Sequence, residues 1–124
     1  MTAIVYLRSA RPNLASIRSQ RERCEELARE HGFELTHVYT DVGPRRLALQ
    51  ALTDDVAEKR FAAVFVSDLS RLGRTNADFT RTAKVLHDAG CSLYDASHRN
   101  LVDLTNLMSL GALVHTLAAA DHSR

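Results

Sequence analysis

Six arginines fall in three short segments of this chain: Arg8 with Arg11, Arg45 with Arg46, and Arg71 with Arg74. A guanidinium is a planar fork that matches a phosphate bidentately, so clustered arginines make an anion site. In Arg71-Leu72-Gly73-Arg74 the spacing suits a tight turn. Its two guanidiniums would clamp one phosphate beside the helix start that follows. Of the 16 Lys and Arg residues only Lys59 and Lys84 are lysines, leaving 14 arginines. Codon usage can raise that number, but it scatters arginines and does not gather six at strand ends. The competing reading pairs these arginines with Asp41 and Asp68 in surface ion networks. Neither GxxxxGK[ST] nor GxGxxG occurs, so no nucleotide cofactor is expected. The six histidines are scattered, and Cys24 and Cys91 stand alone, so neither a metal site nor a disulfide framework is expected. Lone thiols fit a reducing, cytoplasmic setting.

The elements that must carry these arginines alternate. Ala3 to Ser9 reads as a strand buried on both faces. Leu14 to His31 is an amphipathic helix with Leu14, Ile17, Cys24, Leu27 and Ala28 in its apolar stripe, closed by Gly32. Phe33 to Asp41 is a second strand. Leu47 to Lys59 is a second helix with Leu49, Leu52 and Val56 on one face, ending in a Lys59-Arg60 pair that suits the helix dipole. Ala62 to Asp68 is a third buried strand. Thr75-Asn76-Ala77-Asp78 reads as a capping box that opens a third helix running to Gly90. Cys91 to Ser97 is a fourth, weaker strand. His98 to Asp103 reads as irregular, and Leu104 to Ala120 as a last helix rich in Leu and Ala.

A βαβαβαβα order predicts an α/β fold: a four-stranded, mostly parallel sheet with helices on both faces, a three-layer domain. Sites in such sheets form at the carboxyl ends of the strands, where the six arginines lie. The chain has 124 residues, 45% of them hydrophobic, which makes one ordinary domain. The net charge of +1 excludes a polycation, so anion binding must be local. No apolar run reaches the length of a membrane span, and the first residues do not read as a signal peptide.

Tyr6-Leu7-Arg8, Ser16-Ile17-Arg18-Ser19-Gln20, Tyr39-Thr40-Asp41-Val42-Gly43 and Asp68-Leu69-Ser70-Arg71-Leu72-Gly73-Arg74 follow one another in this order. Together they resemble the catalytic domain of serine recombinases, the resolvase/invertase family, over nearly the whole chain from residue 3. The resemblance implies a resolvase-like domain that exchanges DNA strands without metal or cofactor. A serine hydroxyl attacks a backbone phosphate, forms a phosphoserine link and frees a 3′-hydroxyl, while arginines hold the phosphate. Such phosphoryl transfer needs mainly positioning and charge stabilisation. By position, Arg8, Arg46, Arg71 and Arg74 match the arginines of that site, with Arg11 and Arg45 as further phosphate contacts. Tyr6, Gln20, Asp41, Asp68 and Ser70 match supporting residues. The resemblance also implies DNA as partner and a homodimer formed through the last helix, from about residue 104.

The pattern is broken at one position. The family has Tyr-x-Arg-Val-Ser, and Ala10 stands where the nucleophilic serine belongs. Alanine has no attacking atom. Ser9 is the remaining candidate, but alternation along a strand turns it away from the side that Arg8 and Ala10 share, unless the strand slips locally. The loop after Asp41 is short, and no helix-turn-helix or zinc pattern follows the last helix, so no DNA-binding domain is expected within these residues. Two functions therefore compete: a recombinase domain with a degenerate site, or a non-catalytic DNA-binding, dimerisation or regulatory module. On either, the isolated chain is expected not to cleave DNA, and Ala10→Ser is not expected to restore recombination alone.

Overall fold

β1 (Thr2–Ser9) is buried from Ala3 onward because helices cover it on both sides. Ala3, Val5 and Leu7 point to one face and pack with Ala63 and Phe65 against Cys24, Leu27 and Ala28 of α1 (Leu14–Glu30). Ile4 and Tyr6 point to the other, where Val64, Val66 and Leu93 join Leu49, Leu52 and Val56 of α2 (Leu47–Glu58) and Leu86 of α3 (Asn76–Asp88). This is the expected three-layer arrangement, seen here in a computed structural model that describes residues 1–58 and 61–108.

The sheet has five strands in the order β2-β1-β3-β4-β5. β2 (Glu34–Val42), β1, β3 (Ala63–Val66) and β4 (Ser92–Asp95) are parallel. β5 (Asn100–Leu101) runs antiparallel on β4 and replaces part of the irregular segment expected over His98 to Asp103. The reason is a tight turn. The Asp95 carboxylate accepts from the Ser97 amide at 2.9 Å and the Ser97 hydroxyl at 2.6 Å. Arg99, at φ 53°, then takes a left-handed conformation that sends the chain back. A buried carboxylate and one left-handed residue leave no periodic signal, so the reversal is not visible as a strand.

α1 opens on Asn13, whose side chain accepts from the Ser16 amide at 3.0 Å, and Gly32 follows its end at φ 75°. Its stripe departs from expectation at the start: Leu14 is 81% exposed, whereas Gln20 is buried. β2 is an edge strand, and its Val38 is 42% exposed. The Lys59-Arg60 end of the second helix lies outside the described residues. Residues 104–108 begin a further helix, and the remainder of the expected span to Ala120 also lies outside them. Among the described residues no helix is long and apolar enough to cross a membrane.

Candidate functional site

The carboxyl ends of β1, β2 and β3 meet at one rim. Arg8 closes β1 and is only 7% exposed. Its main chain is held by Gln20 from α1. The Arg8 amide donates to Gln20 Oε1 at 3.0 Å, and Gln20 Nε2 donates to the Arg8 carbonyl at 2.8 Å. Ser16 Oγ steadies the same amide group at 3.1 Å. The Arg8 guanidinium then reaches the loop after β2, with Nη2 donating to the Gly43 carbonyl at 3.0 Å. Gly43 in turn donates its amide to the Ser9 carbonyl at 2.9 Å, which ties the two strand ends together.

Two more arginines interlock with this one. Arg71 Nη1 donates to the Arg8 carbonyl at 3.3 Å, and Arg46 Nη1 donates to the Arg71 carbonyl at 2.8 Å. Arg71 Nε also meets Ser67 Oγ at 3.3 Å and Asp68 Oδ2 at 3.4 Å. Burial lowers the affinity of Arg8 for its proton, and the nearby charges of Arg46 and then Arg74 lower it further. Four cations are thus gathered at one rim. Among the described residues only Arg71 of these four is paired with a carboxylate, and Arg8 Nε is buried without a hydrogen-bond partner.

Asp41 does not pair with the arginines. It is buried, and its carboxylate accepts from Tyr6 Oη at 2.7 Å and from the amides of Ala48 and Leu49 at 2.8 and 3.0 Å. It therefore caps α2, the helix that Arg46 precedes. Burial, then the hydrogen bond to Asp41, pushes the Tyr6 hydroxyl well above the ordinary phenol range. The pairing of arginines with Asp41 and Asp68 as one surface network is therefore half realised, at Asp68 alone. Asp68 also accepts from the amide and hydroxyl of Ser70, closing the single 3-10 turn of Leu69–Leu72.

The turn that presents Arg74 is built around Gly73. A Cβ there would lie 2.3 Å from Asp78 Cβ, so only glycine lets the chain pass. Asp78 completes the capping box: the Arg74 and Thr75 amides donate to its carboxylate at 3.2 and 3.3 Å, and its own amide donates to Thr75 Oγ1 at 3.2 Å. These amides, at the helix start beside which a phosphate was expected, are engaged by the helix's own carboxylate. The rim's cationic character rests on guanidiniums.

Ser9 is buried, and its hydroxyl donates to the Arg11 carbonyl. Alternation places it on the α1 side, with Leu7 rather than Arg8. Ala10 is exposed at the end of the strand. Arg11 and Arg45 are exposed on the adjoining loops, and no hydrogen bond joins their side chains to the other four arginines. The sequence places the Ser67 hydroxyl near this edge without giving it the role it has, holding Arg71, and the Gly43 carbonyl, which holds Arg8, escaped the sequence reading. Both lie at strand ends, which is the only signal that points to them. Among the described residues no group of three His, Cys, Asp or Glu side chains is placed to hold a metal ion.

The chain matches the family described as "Resolvase, N terminal domain" over residues 3–122. Its fold is shared with a resolvase family site-specific recombinase from Streptococcus pneumoniae, at 20% identity and TM-score 0.84, covering 99% of this chain and 91% of that one. The N-terminal catalytic domain of TP901-1 integrase is similar at 24% identity and TM-score 0.82, covering 95% and 99%. The C-terminal catalytic domain of ISC1926 TnpA, an IS607-like serine recombinase, is similar at 18% identity and TM-score 0.71, covering 77% and 70%. No curated protein matches significantly. A parallel sheet that ends in interlocked arginines, with a family match spanning nearly every residue, makes this chain a member of the resolvase N-terminal domain family.

Proposed function

We propose that this domain serves site-specific DNA recombination by gripping a backbone phosphate with Arg8, Arg46, Arg71 and Arg74, and that it does so without cleaving the strand. One observation carries the reading: Arg8 is buried beside other cations with an unpartnered Nε and no carboxylate pair. A buried cation in that state calls for an anion. A phosphodiester at this rim would bring the negative charge that Arg8, Arg46 and Arg74 lack among the described residues. Gln20, Tyr6 and Asp41 act as positioning residues, since they hold the Arg8 main chain and the start of α2. Asp68 and Ser70 shape the turn that carries Arg71. Arg11 and Arg45 make outer phosphate contacts from the loops.

The missing step is nucleophilic attack. Ala10 offers no oxygen, and the Ser9 hydroxyl is engaged by the Arg11 carbonyl on the α1 side. This favours a non-cleaving member over an active enzyme. The test incubates the chain with supercoiled plasmid and asks for protein–DNA adducts that survive denaturation; none is expected, and an adduct mapping to Ser9 would overturn the reading. Binding is followed in parallel by fluorescence anisotropy on duplex DNA. Arg8→Ala and Arg46→Ala should each weaken binding and reduce the slope of log K against log salt by about 0.9. The family also points to assembly, and we take the last helix, from about residue 104, as the homodimer contact.

A further inference from the structure

Three large aliphatic side chains are left exposed around the arginine rim. Leu14 is 81% exposed, Val42 48% and Leu47 69%. Leu14 is the first residue of α1, and Leu47 the first of α2. These helices pack on opposite faces of the sheet, so the two leucines flank the strand ends from both sides. Val42 closes β2, beside the Gly43 carbonyl that Arg8 holds, and its Cα partner is Ser9. Leu47 directly follows Arg46. Each apolar side chain is thus sequence-adjacent, or nearly so, to an arginine of the rim. Scattered exposed leucines need no explanation, but aliphatics set around a cationic site in which Arg8, Arg46 and Arg74 lack a carboxylate partner among the described residues do.

We infer that Leu14, Val42 and Leu47 form an apolar fringe that packs against the deoxyribose faces on either side of the gripped phosphate. The inference rests on the phosphate reading above and adds the contact chemistry of the flanking nucleotides. A DNA strand alternates charged phosphates with less polar sugars, and the rim alternates guanidiniums with aliphatics: Arg11 then Leu14 on one side, Arg45 and Arg46 then Leu47 on the other. The fringe borders the loops that carry Arg11, Arg45 and Arg46 and has no charge of its own. Its part in binding is therefore independent of salt, because burying apolar surface releases no counterions.

This difference gives the test. Anisotropy titrations of a 30-base-pair duplex, from about 50 to 200 mM salt, compare the native chain with Leu14→Ala, Leu47→Ala and Arg46→Ala. Each leucine variant should bind roughly fivefold more weakly at every salt concentration, as expected for about half of a leucine's burial, with the slope unchanged. Arg46→Ala should lower the slope. Circular dichroism confirms that the variants stay folded, as befits exposed positions. Native affinity in both leucine variants, with the Arg46→Ala slope effect present, overturns the fringe and leaves the phosphate grip standing. A change in solution mass without a change in DNA affinity also overturns it, assigning the leucines to a second protein chain. A native slope in Arg46→Ala overturns the phosphate grip itself.

Discussion

Asp41 shows how a single buried carboxylate organises the site without touching its ligand. It collects three donors: the Tyr6 hydroxyl and the amides of Ala48 and Leu49. The carboxylate thereby joins β1, β2 and the start of α2, and it leaves the neighbouring guanidiniums free of a competing acid. Asp41→Ala would orphan all three donors inside the fold. The expected loss of stability is about 2–4 kcal/mol, combining a lost helix cap with buried unsatisfied polar groups. Asp41→Asn, which keeps one acceptor oxygen, should lose less. Urea denaturation of the three proteins checks the order, and equal stability of Asp41→Ala and the native chain would contradict it. Arg8 is the complementary case. Its main chain is satisfied by Gln20 and Arg71, while its guanidinium bonds only the Gly43 carbonyl and leaves its buried Nε without an acceptor.

α3 is the element whose start sets the second half of the rim. Its capping box holds the chain just after Arg74, and the close approach of Gly73 to Asp78 fixes the path of the turn. Partial burial pushes the Asp78 carboxyl up, but hydrogen bonds from the Arg74 and Thr75 amides and the Thr75 hydroxyl outweigh it and hold the group below its ordinary value. A carboxylate depressed in the folded state stabilises the fold above its unfolded pKa, near 4. That contribution fades as pH falls through the lower folded value. Asp78→Asn should therefore be less stable than the native chain by about 1 kcal/mol at neutral pH, with the gap closing below about pH 4. Asp95 is depressed too, by bonds from Ser97 and His98 that outweigh its burial, but it is common to both proteins and drops out of the difference. Thermal unfolding at stepped pH measures the gap, and a gap that persists unchanged at low pH contradicts the assignment.

The molecule as a whole is a layered sheet with two separate apolar cores, one under α1 and one under α2 and α3. Neither core requires a second chain. The described start of the next helix carries Leu107 and Met108 only half-buried, which leaves apolar surface where the homodimer contact is proposed. The expected solution mass is twice 13.8 kDa. Light scattering across a concentration series checks this, and a monomer at the highest concentration counts against dimerisation. Cys24 and Cys91 take no part: both are buried, and burial pushes each thiol up to about 12, so they behave as small apolar residues.

Local sequence patterns sufficed for the four parallel strands, the three helices, the capping box at Thr75 and the gathering of arginines at strand ends, but not for β5. Each is a local pattern: apolar spacing, a cap residue, a segment boundary. The alanine two residues after Arg8, on which the non-cleaving proposal rests, is the identity of one residue and needs no fold to be read. Only the folded chain decided which arginines interlock. Contacts such as Arg71 with the Arg8 carbonyl join residues 63 positions apart and depend on strand register. The same holds for the burial of Gln20, the exposure of Leu14, and the diversion of the Arg74 and Thr75 amides to Asp78. A helix stripe says which side is apolar, but it cannot say how far the sheet extends beneath it. At the rim the sheet ends, so side chains that read as core there are left facing outward.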